Sequence, residues 1–199
     1  MKEKCFENVE KMQNALQNMD TLSSEELDKL SYLMLKEASA EYRHNRKDFF
    51  TAEKTKNKVI EYITKYCKNP YVLRNLLGVM GFTATRFKDY DNRYYNFLKT
   101  NTKNQDNGVR KIITRFLPDF PQFETFENKW DYLMSIPNIS PKKETVGIFY
   151  IEIKNRIDSI PEIYKNSILK IFENYILKND LHISTIAKYE EIINKLKGY

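Results

Sequence analysis

Arg86, Lys88 and Arg93 lie close together in the chain, with Thr83 and Thr85 just ahead of them. Guanidinium and ammonium groups pair with phosphate oxygens, while Thr hydroxyls and Arg forks can meet base edges. Residue types at this spacing suit a polyanion such as nucleic acid. Groups for bond-making chemistry are sparse. His44 stands near Arg43 and Arg46 with no second His, no Cys and no paired carboxylate beside it, so it reads as a surface residue. Cys5 and Cys67 are far apart and lack metal-ligand spacing, which makes them reduced thiols in this reading. There is no phosphate-cradling glycine loop, no nucleophile elbow and no His/Cys cluster. The expectation is a protein that is not an enzyme, with no cofactor and no metal.

The charge distribution locates the polyanion surface. The chain has 199 residues and a net charge of +6. Residues 1–40 carry 5 Lys+Arg and 8 Asp+Glu, residues 41–115 carry 17 and 7, and residues 116–199 carry 11 and 12. The middle segment is therefore +10 inside an otherwise near-neutral chain, the footprint of a polyanion-binding face. No apolar run approaches the ~18 residues of a membrane span. The start, MKEKCFENVEKM, lacks the apolar core of a secretory leader, so a cytoplasmic protein is expected. Lys, Asn, Ile and Tyr are abundant, a flavour of AT-rich genomes.

The elements that must position these groups read as helices. Only 5 Gly and 6 Pro leave little material for hairpins. Phe6, Val9, Met12 and Leu16 give a first amphipathic helix over about 4–18. Ser23 followed by Glu26 has capping-box spacing and starts a second, with Leu27, Leu30, Met34 and Leu35 as its buried stripe. Residues 41–50 read as a basic, aromatic hinge, after which Thr51 caps a third helix to about Cys67. Asn69-Pro70 opens a short helix ending at Gly78, and another runs from Thr83 to about Thr100. Further helices are expected at 109–116, 124–136, 142–157, 161–178 and 184–197. The stretch 145–153 (TVGIFYIEI) has strand-like composition, but Ser140-Pro141 ahead of it is an explicit helix start. The fold class is all-α: a single domain over 1–199 of about eight or nine helices. It comprises acidic N-terminal helices (1–40), a basic central segment (41–115) and C-terminal helices (116–199).

Leu73, Leu77, Val79, Ala84 and Phe87 supply apolar positions around a Gly78-Val79-Met80 turn. Leu77-Gly78-Val79 followed by Thr83, Thr85 and Arg86 resembles the L-G-V-S-x-x-T-V-S-R run of bacterial and phage helix-turn-helix regulators. The family's small, capping and helix-start residues are here Arg74, Met80 and Gly81. The resemblance implies that the second helix enters the major groove. Thr83, Thr85 and Arg86 would then face bases, and Lys58, Lys68, Lys88 and Arg93 would contact phosphates. Tyr71 and Tyr95, if exposed among these cations, would instead suit stacking on single strands.

Two weaker constellations stand in the C-terminal part. Residues 133–143 (LMSIPNISPKK) are similar to a helix-hairpin-helix, with Asn138 and Ser140 in place of its two glycines. Glu152-Ile153-Lys154 matches the E-x-K of many nucleases, for which Asp131 would have to be the upstream acid. The reading reached is a DNA-binding helical protein, a regulator or mobile-element accessory factor acting on double-stranded DNA. It could form a homodimer through its first two or last two helices. Its rival is a helical interaction module, of the kind phage inhibitors use, whose basic face docks on an acidic protein.

Overall fold

The computed structural model describes residues 2–40, 44–140 and 142–198, with side chains from Asn8 onward except those of 41–45, 141 and 142. Among these residues there are eleven α-helices and no strand, so the protein is all-α. The chain divides into two compact units, Met1–Thr125 and Phe126–Tyr199, where the sequence suggested a single domain.

The first unit contains α1 (Lys2–Gln17), α2 (Ser24–Ser39), α3 (His44–Thr51), α4 (Glu53–Tyr66), α5 (Pro70–Phe87), α6 (Asn92–Thr100) and α7 (Asn107–Phe116). The second contains α8 (Lys129–Ser135), α9 (Lys142–Asn155), α10 (Glu162–Lys178) and α11 (Ile183–Lys197). The capping box at Ser23 forms as its spacing requires: Ser23 Oγ accepts from the Glu26 N–H, and the Glu26 carboxylate accepts from the Ser23 N–H at 2.8 Å. The described part of the expected hinge is helical instead, as α3. Thr51 ends that helix rather than capping the next, and Ala52 precedes α4 in extended conformation. Residues expected as one helix over 124–136 are divided between a 3-10 turn at Pro121–Thr125 and α8. The strand-like 145–153 stretch lies inside α9.

The largest correction is at α5. The turn expected at Gly78-Val79-Met80 does not exist; one helix runs from Pro70 to Phe87. Asn69 caps its start by accepting from the N–H groups of Tyr71 (3.0 Å) and Val72 (3.4 Å), with Pro70 at the first helical position. It ends at Lys88, whose backbone is left-handed (φ 60°, ψ 34°), and the next helix waits for the Asp91 cap. Two glycines inside a helix each cost about 1 kcal/mol relative to Ala. Here they permit close approach. A Cβ on Gly78 would lie 2.6 Å from Leu35 Cδ1 of α2, and one on Gly81 would lie 2.1 Å from Phe116 Cγ of α7.

α5 is thus the axis of the first unit. Every residue from Asn75 to Gly81 is buried, as expected of a helix apolar on most sides. Contacts of Asp28 with Asn69, Ser31 with Asn75, Leu35 with Gly78 and Ala40 with Arg86 advance together along both helices. α2 therefore runs parallel to α5. α7 does too, since Arg74 approaches Gly108 and Gly81 meets Phe116. On the α4 side, Tyr62 is fully buried and donates its hydroxyl to the Leu27 carbonyl. In the second unit, Phe149, Phe172 and Tyr189 bring α9, α10 and α11 together, with ring centroids 5.3 to 5.4 Å apart along Phe172.

Candidate nucleic-acid interface

The sequence-selected residues scatter. Thr83 is fully buried and its hydroxyl donates to the Val79 carbonyl at 2.8 Å, so it cannot face a base. Thr85 is half-buried and donates to Gly81 O at 3.0 Å. Both hydroxyls back-bond within their own helix, the usual fate of Thr inside a helix. Arg86 is exposed at the end of α5 and donates to Ala40 O at 3.0 Å. Lys68 and Lys88 are exposed. Lys58 pairs with Glu61 at 2.8 Å.

Arg93 is committed to structure. It binds Asp91 (2.6 Å) and Glu53 (2.7 Å), while Lys56 reaches Asp89 (3.1 Å), Asp91 (3.3 Å) and Glu53 (3.5 Å). Hydrogen bonds from the Arg93 side chain hold the Asp91 carboxyl down at about 2 against the opposing effect of burial. Burial works against charge on Lys56, but its bonds to Asp89 and Asp91 prevail and raise its pKa. This network ties α4 to the start of α6 and leaves little of either cation for a ligand. Of the aromatics, Tyr95 is buried and Tyr71 is exposed, so they do not form a joint stacking surface.

A different set comes together on α5 and α7. After Pro70, the only α5 residues that reach solvent are Tyr71, Arg74, Phe82, Thr85 and Arg86, a single stripe of the helix. Between Arg74 and Phe82 the stripe is covered by Leu35 over Gly78. Arg74 lies over the Tyr71 ring at 5.5 Å, and Arg86 over the Phe82 ring at 5.3 Å. Arg115 reaches across from α7 to the same Phe82 ring, also at 5.3 Å. Phe82 is itself fixed edge-on against Phe116, centroids 4.8 Å apart. Neither Arg86 nor Arg115 pairs with a carboxylate among the described residues, in contrast to Lys56, Lys58, Lys65 and Arg93. Arg74 to Arg86 spans about 18 Å at helical rise.

No family model, curated protein or solved structure matches the chain.

The site therefore rests on its own geometry. Phe82 and Arg115 were not singled out in the sequence, although Tyr71/Arg74 and Phe82/Arg86 have the three- and four-residue spacings that place side chains together on a helix. Arg115 had no such signal, because its partner ring lies on another helix.

The remaining constellations hold no comparable geometry. Glu152 of the E-x-K stretch is buried on helical α9 and its carboxylate is bound to Arg156 at 2.5 Å. Asp131 accepts from the Tyr164 hydroxyl at 2.6 Å. No group of three or more His, Cys, Asp or Glu among the described residues could hold a metal ion. In the helix-hairpin-helix-like stretch, Ile136–Asn138 is a 3-10 turn with Ile136 and Pro137 buried, and Pro141 lies outside the described residues. The side chain of His44 also lies outside them. No described helix is long and apolar enough to cross a membrane.

Proposed function

We propose that the first unit binds DNA through its phosphate backbone, along the arginine–aromatic stripe of α5 and α7. The observation that carries this reading is the pair Arg86 and Arg115, two guanidinium groups on one ring without a carboxylate partner. Guanidinium forks match phosphate geometry, and aromatic contact preorganises them at little cost. The +10 charge of residues 41–115 supplies the long-range attraction. With Thr83 buried and Thr85 bonded to its own helix, two of the three residues foreseen for base edges are withdrawn, and Arg86 alone stays exposed. The contact is then one that positions without reading sequence, as suits an accessory factor on double-stranded DNA better than an operator-specific regulator.

Fluorescence anisotropy with mixed-sequence duplex and single-stranded DNA, at about 50 and 200 mM salt, tests the reading. Binding should fall steeply with salt and vary little with sequence. Absence of binding at the lower salt would reject it in favour of an acidic protein partner.

A further inference from the structure

We propose that Arg86, Arg115 and Phe82 form a discrete phosphate clamp, in which both guanidinium groups grip the non-bridging oxygens of a phosphodiester. The clamp rests on the DNA reading for the identity of its ligand, but its chemistry stands on three geometric observations. Both Cζ atoms lie 5.3 Å from the Phe82 centroid, which limits their separation to at most twice that distance. One phosphate, or two neighbours on a strand, can bridge that span.

Two like charges within about twice 5.3 Å of one another repel in the absence of an anion. Elsewhere in the unit such clusters include carboxylates: Lys58 and Lys65 share Glu61, and Lys56 and Arg93 share Asp91. Among the described residues the two guanidinium groups at Phe82 meet no carboxylate: both lie over its ring, Arg115 lies also over the Phe116 ring at 5.4 Å, and Arg86 donates to one backbone carbonyl, Ala40 O. Each guanidinium has five N–H donors in a fixed fork, so bidentate capacity remains after that one bond.

Phe82 is a positioning residue. Its ring is braced by Phe116 and sits between helices that are locked at Gly81, so the arginines project from a rigid seam rather than from a loop. Restricting their rotamers beforehand lowers the entropy lost on binding. The arrangement distinguishes arginine from lysine: an ammonium would carry the same charge without the fork.

The test uses the full chain with a fluorescent oligonucleotide, and separately inorganic phosphate followed by NMR at the arginine Nε–Hε resonances. Arg86→Lys/Arg115→Lys should weaken oligonucleotide binding roughly three- to tenfold while keeping the slope of log affinity against log salt. Arg115→Ala should reduce that slope by about 0.7 to 0.9. Phe82→Leu, which still packs on Phe116, should weaken binding with the slope unchanged. Inorganic phosphate should shift the Arg86 and Arg115 resonances together. If the double lysine variant binds DNA as tightly as the wild type, the clamp is overturned and the broader DNA reading stands. If phosphate moves both resonances but no oligonucleotide binds, the clamp holds and the DNA reading fails. Circular dichroism checks that each variant is folded, as expected for exposed arginines.

Discussion

Gly81 lies directly against Phe116: a Cβ at that position would sit 2.1 Å from Phe116 Cγ and 2.7 Å from its Cβ. These are atoms near the backbone of α7 and cannot swing aside. Gly81→Ala should therefore destabilise the protein by about 1–3 kcal/mol, the usual cost of overpacking. Gly78 offers the contrast, because there the obstacle is a terminal methyl group of Leu35. That side chain can rotate, and Ala is the better helix former by up to about 1 kcal/mol. Gly78→Ala should leave stability unchanged or raise it. Urea unfolding of the two variants checks both, and a large loss at Gly78 would show that Leu35 cannot give way.

Lys88 sits at φ 60°, where a side chain costs roughly 1–2 kcal/mol relative to a relaxed backbone. Lys88→Gly relieves this while adding freedom to the unfolded chain, so stability should rise by roughly 0.5–1 kcal/mol. If the exposed ammonium also helps attract DNA, affinity should fall slightly in the same variant. Paired unfolding and anisotropy measurements would show the two quantities moving in opposite directions.

Asp91 makes folding sensitive to acid. Its carboxyl titrates at about 2 in the folded protein against an ordinary value of 3.8. A depressed carboxylate contributes its stability fully above the ordinary value and loses it as pH falls through the folded one. Asp91→Asn keeps a capping side chain for α6 but removes the charge that Lys56 and Arg93 share. The variant should be less stable than wild type by about 1–3 kcal/mol near neutrality. The difference should shrink between about pH 4 and pH 2. A gap that persists unchanged at pH 2 would contradict this assignment.

Glu37 and Arg46 form a buried pair, 3% and 8% exposed, with Arg46 Nε and Nη2 both 2.7 Å from Glu37 Oε2 and Asn8 donating to Oε1 at 2.8 Å. Three helices, α1, α2 and α3, meet at this carboxylate. Glu37→Gln should cost about 1–3 kcal/mol, because it removes the carboxylate charge from a buried charge-assisted pair while leaving an amide oxygen to accept from Arg46. Replacing both partners by Leu and Met should recover a good part of the loss, measured by the shift in urea midpoint.

Local signals in the sequence translated well where one residue decides the outcome. Ser23 with Glu26 and Asn69 with Pro70 each start a helix as their chemistry dictates. The apolar residues assigned to the supposed turn, Leu73, Leu77, Val79, Ala84 and Phe87, are indeed buried. What failed was the meaning of the glycines. Gly78 and Gly81 can mark a turn or a close helix crossing, and only the presence of Leu35 and Phe116 at those points distinguishes the two. The stop at Lys88 was invisible for a related reason, since a left-handed lysine carries no compositional mark. The charge excess of residues 41–115 does not show which of its cations are already paired, because pairing is set by partners distant in sequence: Asp20 for Lys65, Glu53 for Arg93.

The central position of α5 also governs how this chain can be made. The inward faces of α2 and α4 close on a helix that follows them in the chain, so the first part of the protein leaves the ribosome with its apolar stripes still open. At about 5–20 residues per second, α5 is completed on the order of 2–10 s after α2. During that interval Leu27, Leu30 and Met34 are available to any apolar surface in the vicinity. Synthesis past Phe87 supplies the helix that completes their cover, and a chain interrupted before it has only α1, α3 and α4 to pack on α2.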